Sequence, residues 1–351
     1  MTAAPRVAVV GAGVVGLRTV RELLGPRPDG GPVPEVSLVS RRPARLEELS
    51  ATLGGSVRLL SAEHADPDLA ADVVVVTRAA EDQVAVAERV VRRGGHVVTT
   101  ADAPEVAEAL LALDPLARRA GTTLVVGAAM SPGLSCLLAR HAAGALDRVD
   151  EVHVARDGAG GPACARQRLR ALRGTAAEWR DGTWIRRGGF SGRELCWFPD
   201  PIGGRDCYRA ELAEPLLLVD AVPGVQRVTA RLAASRLDRA LVPFPVLVGP
   251  PVEGRPGAIR VEVRGPREGA RETLVYGVLD RPSVAAAAVA AVAALWIAGG
   301  TAAWPDAEEP FTGAHGLGVL RQPVWFLREL ARRGVRAATF VGCDDEGVTT
   351  A

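Results

Sequence analysis

The sequence predicts an α/β fold: a doubly wound parallel sheet, followed by a second α+β domain whose sheet is mainly antiparallel. Three observations predict it. Residues 1 to about 145 alternate short apolar runs with helical stretches. The runs are continuous rather than alternating, as expected of parallel strands covered on both faces. The first run, Val7–Val10, passes directly into Gly11-Ala12-Gly13-Val14-Val15-Gly16 and a helical segment to Leu24. Strand, GxGxxG and helix in that order form the Rossmann fingerprint. Gly11 permits the tight turn, Gly13 lets backbone approach a pyrophosphate, and Gly16 allows close packing of helix on strand. The phosphates then meet unpaired N–H groups at the helix start. Dinucleotide binding is the reading, against the plainer one of a glycine-rich turn.

The second strand, Glu35–Val39, bears on which dinucleotide. An NAD site calls for an acidic residue about 20 positions past the glycines, to hold the ribose diol. Here the strand ends in Ser40-Arg41-Arg42. Two guanidiniums and a hydroxyl suit a 2′-phosphate, so NADP (NADPH) is expected ahead of NAD. A solvated basic helix start is the alternative. Next come strands Val57–Leu60 and Asp72–Val76, then a helix Glu81–Arg93 capped by Gly94-Gly95. Strand His96–Thr99, helix Pro104–Arg119 ended by Gly121, strand Thr122–Val126 and a helix opening at Pro132 complete a dinucleotide-binding domain over residues 1–146.

From Val149 the rhythm changes. Glu151–Arg156 alternates, and a basic stretch follows (Arg166, Arg168, Arg170, Arg173), then turn-rich segments holding Trp179, Trp184, Phe190 and Trp197. Ala258–Gly265 and Arg271–Leu279 read as a hairpin about Pro-Arg-Glu-Gly. Residues 147–281 therefore form the expected substrate and dimerisation domain. Residues 282–351, with an Ala-rich helix 283–298, the segment Gln322–Arg333 and a strand Val335–Val341, are expected to return to the first domain.

Composition narrows the function. The 351 residues carry a net charge of +1 and are 48% hydrophobic, which suits a globular protein and argues against a nucleic-acid partner. Every basic residue is Arg, so no Lys is present to form a Schiff base. Five cysteines (Cys136, Cys164, Cys196, Cys207, Cys343) without a CxxC argue against a disulfide framework or metal site and suggest a reducing cytoplasm. The first strand begins within six residues, leaving no room for a signal peptide. The apolar run Val284–Ala298, broken at Gly299-Gly300, falls short of the ~20 residues of a membrane span and reads as a buried helix.

Ligands of a doubly wound sheet bind beyond the carboxyl ends of its strands. That rule selects Thr77 and Arg78 after the fourth strand, and Thr100, Ala101 and Asp102 after the fifth. It also selects Met130-Ser131-Pro132-Gly133 after the sixth; all three segments should face a nicotinamide. Asp102 is placed for proton transfer or for gripping an amine, or else caps the helix at Pro104. The segment Ser191–Tyr208, dense in aromatics, turns and charges, supplies Tyr208 as a second catalytic candidate. Arg193 and Arg205, with Arg166 and His153, are candidates for the substrate side, because guanidiniums grip a carboxylate in a planar fork. His153 points into either cleft or core. His96 reads as a surface residue, His141 as packing and His315 as loop-borne. Cys164 and Cys207 are nucleophiles only with an activating base nearby.

Gly127-Ala-Ala-Met-Ser-Pro-Gly-Leu-Ser-Cys-Leu-Leu-Ala139 resembles the Pro-Gly-x-Ser loop and helix of the saccharopine dehydrogenase-like oxidoreductases, which include saccharopine reductase and carboxynorspermidine dehydrogenase. The glycine fingerprint, Ser40-Arg41-Arg42, the strand order through residue 140 and Asp280-Arg-Pro-Ser before the Ala-rich helix are similar too. About half the chain is covered; the Arg-rich, aromatic middle departs from the family. The resemblance implies a pyridine-nucleotide oxidoreductase acting at a carbon–nitrogen bond through an imine. It puts Ser131, Pro132 and Gly133 by the nicotinamide, with Asp102 across from them. Carbonyl or enoyl reduction of a larger hydrophobic substrate lined by Trp179, Trp184 and Trp197 is a second reading. A non-catalytic NADP-binding regulator is a third. A small carboxylate-bearing substrate, a homodimer and no membrane partner complete the expectations.

Overall fold

The computed structural model describes residues 4–26, 31–61, 71–78, 82–235, 238, 254–299 and 304–340. Glu81, Gly300, Val341 and Cys343, each part of a sequence expectation, lie outside them. The first domain runs β1 (Arg6–Val10), α1 (Val14–Leu24), β2 (Glu35–Ser40), α2 (Pro43–Leu53), β3 (Val57–Ser61) and β4 (Val73–Val76). It continues through α3 (Gln83–Arg92), β5 (His96–Thr99), α4 (Pro104–Leu111), α5 (Asp114–Ala120), β6 (Thr123–Val125) and α6 (Leu134–Ala143). The predicted helix Pro104–Arg119 is thus two helices. Asp114-Pro115 restarts the chain after Leu113, because proline is tolerated only in a helix's first turn.

The second domain holds β7 (Glu151–Asp157), α7 (Pro162–Arg173), β8 (Thr175–Arg180), β9 (Thr183–Gly188), β10 (Glu194–Phe198) and β11 (Gly203–Arg209). It closes with α8 (Glu214–Ala221), β12 (Arg227–Ala233), β13 (Gly257–Arg267) and β14 (Ala270–Asp280). The chain then adds α9 (Pro282–Gly299), β15 (Gly313–His315), α10 (Val324–Arg332) and β16 (Ala337–Phe340).

Among the described residues, the first sheet has the order β15-β6-β5-β4-β1-β2-β3 and every pairing in it is parallel. The reversal on either side of β1 is the switch point at which such sheets bind nucleotides. The second sheet runs β10-β11-β12-β7-β13-β14-β16, with β8 and β9 branching from β12. Only its β7–β12 pair is parallel, so the mainly antiparallel expectation holds.

The C-terminal segment divides. The Ala-rich α9 packs on α1 and touches β4 and β5, and β15 extends the first sheet beside β6. Arg333 joins Glu22 of α1 at 2.9 Å. The last strand corrects the expectation of a complete return, because β16 pairs with β14 at the end of the second sheet. A strand needs a partner for its backbone groups, and β14 offers an open edge there. Helix α9 is the one described helix long and apolar enough to cross a membrane, and 78% of that stretch is buried inside the protein. One continuous apolar core links the two sheets, from Val9 and Val75 through Leu137 to Val154 and Val261.

Candidate active site

Each glycine of the first turn has a separate job. Gly11 has φ +127°, and a Cβ there would stand 2.7 Å from Thr77 Oγ1. A Cβ on Gly16 would collide with the Gly11 carbonyl oxygen. Thr77 locks the turn by donating its hydroxyl to Gly11 O at 3.1 Å. Gly13 differs: a Cβ there would meet nothing within 4 Å. It is the N-cap of α1, without a side-chain cap and without an acid in the first turn. The start of α1 at Gly13 therefore opens onto free space with no acid in its own first turn, which fits a pyrophosphate. Ala12, Val14 and Val15 complete this backbone cradle.

Beyond β2, buried Ser40 accepts a hydrogen bond from the Arg42 N–H at 3.1 Å. That bond turns the chain into α2. Arg41 pairs with Asp82 at 2.9 Å, and Arg78 meets the same carboxylate at 3.2 Å. Arg42 is exposed and has no ion-pair partner among the described residues. Arg78 packs against Gly11, where partial burial lowers its pKa. Ser40, Arg41 and Arg42 after β2 thus gather with Thr77 and Arg78 after β4 beside the glycine turn.

The opposite end is a cluster of charges. Asp102 follows β5, and the α4 N-cap is Ala103 without any side-chain cap, so Asp102 does not cap that helix. Its Oδ2 lies 3.5 Å from the Arg156 guanidinium, with side chains 23% and 11% exposed respectively. Burial pushes the Asp102 carboxyl above the usual carboxylate range, and Arg156 opposes the shift without cancelling it. Arg156 also donates to the Ser131 carbonyl at 2.8 Å, and the Ser131 hydroxyl donates to Glu214. The Ser131-Pro132-Gly133 loop is built rigidly. Ala129 N–H bonds Pro132 O at 2.9 Å, and Gly133, at φ +119°, has no room for a Cβ. Cys164, in the first turn of α7, shares the cluster; burial and Asp102 both push its thiol up, so it is no activated nucleophile. Cys207 has only Cys196 as its thiol neighbour, which with burial raises it too.

Other candidates fall elsewhere. Residues paired across a sheet share a face, so Arg156, level with Leu232 and Ile259, points toward the first domain. His153 has the opposite parity. Its ring bonds Thr229 Oγ1 at 2.8 Å and Glu151 at 2.9 Å on the far face, in neither cleft nor core. Tyr208 is not beside Asp102: its ring packs on Phe190, with centroids 4.5 Å apart. It lines an open cavity of about 500 Å3 with Arg193, Arg205 and Ser235. Arg193 is paired with Asp206 at 2.9 Å, and Arg205 lies 3.8 Å from Asp157. Arg166 is exposed on α7, two positions from Arg168, which is bound to Asp238 at 2.6 Å. His96 is no free surface group, because its Nδ1 accepts from the Thr123 N–H at 3.0 Å. His141 packs edge-on against Tyr276, and His315 lies on β15, half-buried.

The sequence left Arg156 and Glu214 unread. Arg156 is one of many arginines on an alternating strand, and only the sheet register shows which face it occupies. Glu214 stood out only as an acid next to a proline at a helix start.

No family model matches the chain, and no curated protein matches it either. Solved structures do. Saccharopine dehydrogenase (L-Glu forming) from Saccharomyces cerevisiae superposes with a TM-score of 0.66 at 15% identity, over 96% of this chain and 100% of that one. The chain has a saccharopine dehydrogenase-like fold. The DAP dehydrogenase of C. glutamicum, in complex with DAP, has a TM-score of 0.51 at 16% identity, covering 92% of this chain and 96% of its own. An engineered D-amino acid dehydrogenase bound to NADP+ has a TM-score of 0.50 at 18% identity, covering 94% and 99%. The fold over nearly the whole chain is therefore shared with these dehydrogenases.

Proposed function

We propose that this chain is an NADP(H)-dependent oxidoreductase acting on the C–N bond of a small, carboxylate-bearing, amino-acid-like substrate, by imine reduction or its reverse. The carrying observation is the Asp102–Arg156 pair at the strand ends, beside the loop Ser131-Pro132-Gly133. Its partner observation is the open, uncapped α1 N-terminus at Gly13. A nicotinamide coenzyme held there would supply or take up the hydride. The phosphates would rest on the α1 amides, and a 2′-phosphate on Ser40, Arg41 and Arg42.

The protein's own share is orientation and one proton. Arg156 retains donors beyond the Ser131 carbonyl, and a planar guanidinium suits the substrate carboxylate. Asp102, whose carboxyl is raised by burial, would give a proton to the imine nitrogen as the carbon accepts hydride. The C=N π bond breaks, C–H and N–H bonds form, and Asp102 is left as a carboxylate beside Arg156. The reverse reaction returns that proton. A hydrophobic-substrate reductase finds less support here, since Trp179 and Trp184 pack edge to face at 5.2 Å, Trp179 donates to Val225 O and Trp197 is exposed. A homodimer through the second domain remains part of the proposal.

Incubation with NADPH and a panel of amine and keto-acid pairs tests the reading. Coenzyme oxidation that requires both partners is expected. Turnover of ketones or enoyl thioesters alone would overturn it, as would tight coenzyme binding with no turnover of any pair. For the coenzyme, Arg41→Ala with Arg42→Ala should weaken NADPH at least about tenfold more than NADH, since bonds to an ionised phosphate are lost. Equal weakening of both would remove the NADP assignment.

A further inference from the structure

Glu214 is a buried carboxylate that the proposed reaction leaves without a task. It opens α8 beside Pro215 and has 0% exposure. One oxygen accepts the Ser131 hydroxyl, while Oε2 is buried with no hydrogen-bond partner among the described residues. An isolated carboxylate so placed would be expensive unless a charge compensates it. The compensating charge is Arg156, on which Glu214 acts through space while Ser131 bridges the two. Asp102 draws on the same guanidinium from the other side. Two carboxyl groups therefore share one cation. Among the described residues, the other titratable groups that act on them are the thiols of Cys136 on α6, beside Glu214, and Cys164 on α7, beside Asp102. Arg168, farther along α7, is neutralised by Asp238.

We propose that Glu214 is a positioning residue: it shares the charge of Arg156 with Asp102 and, through the Ser131 hydroxyl, anchors the loop to which that guanidinium is bound. The kinetic side of this rests on Asp102 being the acid of the proposed reaction. Glu214 and Asp102 compete for one guanidinium, and a carboxyl that shares its counter-charge gives up its proton less readily. Removing the negative charge of Glu214 frees the guanidinium, and Asp102 then ionises more readily. Ser131→Ala reaches the same end by another route: it removes the hydrogen bond that holds the Glu214 carboxylate on the loop beside Arg156.

The test is the titration midpoint of Asp102 in coenzyme-free protein, read by NMR on chains carrying 13C-carboxyl aspartate. The Asp102 resonance is identified by its loss in Asp102→Asn. In Glu214→Gln the midpoint should fall by about one pH unit or more. Ser131→Ala should move it in the same direction, and it covers the case in which Glu214→Gln does not fold. A midpoint that stays put in whichever variant is folded overturns the proposal. The measurement needs no turnover, so it stands apart from the functional reading. Undiminished turnover in Asp102→Asn would remove the acid assignment alone.

Discussion

At the scale of single residues, the first turn separates folding from binding. Alanine normally favours a helix over glycine by about 1 kcal/mol. At Gly16 the collision with the Gly11 carbonyl outweighs that gain, because backbone cannot move aside as a flexible side chain does. Gly16→Ala is expected to lower stability by about 2 kcal/mol or more and to abolish coenzyme binding. At Gly13 the space is open and φ is −82°, a conformation alanine adopts freely. Gly13→Ala should therefore melt within a few degrees of the parent yet bind coenzyme at least tenfold more weakly, since its methyl group occupies the phosphate's approach. Calorimetry and coenzyme titration of both variants check the contrast; equal binding in Gly13→Ala would mean that nothing approaches α1 there. The same scale holds the consequence of Asp102. Its folded carboxyl binds a proton more tightly than the unfolded one, so its stabilising contribution falls as pH rises from the ordinary value near 3.8 toward the raised value. Asp102→Asn removes that dependence. The variant should melt higher than the parent at pH 8, with the gap closing near pH 3.5; a gap that widens on acidification would contradict a raised carboxyl.

Elements differ in how openly the sequence announced them. Val73–Val76 and Val7–Val10 are unbroken valine-rich runs, which only a strand buried on both faces requires, and both are central in the first sheet. Strand β15 has the sequence Gly-Ala-His and no such signal. It exists because Asp114 accepts the Ala314 N–H at 2.9 Å and β6 has a free edge, both of them tertiary facts. The site follows the same division. The glycine turn and Asp102 were legible because strand ends mark where ligands bind. Arg156 and His153 sit on one strand three residues apart, so alternation puts them on opposite faces, and only pairing with β12 and β13 shows which of them faces the first domain. The face that His153 occupies carries its own network. Glu262, buried on β13, would be raised by its burial, but Arg260 at 2.5 Å and Arg264 hold it below its ordinary value of 4.5. A depressed carboxyl contributes stability that is present above the unfolded value and lost as pH falls through the folded one. Glu262→Gln is thus expected to cost about 1–3 kcal/mol at pH 7, the range for hydrogen bonds to charged groups. Denaturant titrations at pH 7 and pH 3 check it: the cost should shrink at the lower pH, and an equal cost at both would assign the effect to shape rather than charge.

For the whole molecule, the deciding feature is how often the chain crosses between its two sheets. Residues 1–146 contain six strands of the first sheet, but the helix that packs on α1 and the seventh strand arrive only after residue 281. Helix α9 is two-thirds Ala and Val and is buried almost around its whole circumference. It is therefore a core element of the first domain rather than a cover on its surface. Arg333 then ties the following helix back to Glu22, and β16 crosses to β14. Helix α6 is packed against β13 of the second sheet as well as within the first domain's core. A structure stitched in this way has no clean plane along which it can come apart, and its apolar core runs through both sheets. The full chain should accordingly unfold in one calorimetric transition whose van't Hoff and calorimetric enthalpies agree, with bound coenzyme raising the midpoint. The fragment 1–146, although it holds the entire glycine turn, should show no cooperative melt and no coenzyme binding. Its α1 would present to water the surface that α9 covers in the intact protein. Two well-separated transitions in the full chain, or a folded fragment that binds coenzyme, would instead assign the second sheet and the returning helix to an independently stable unit. The Asp102–Arg156 contact, which bridges a first-domain strand end and β7, would then lie on a hinge rather than in a shared core.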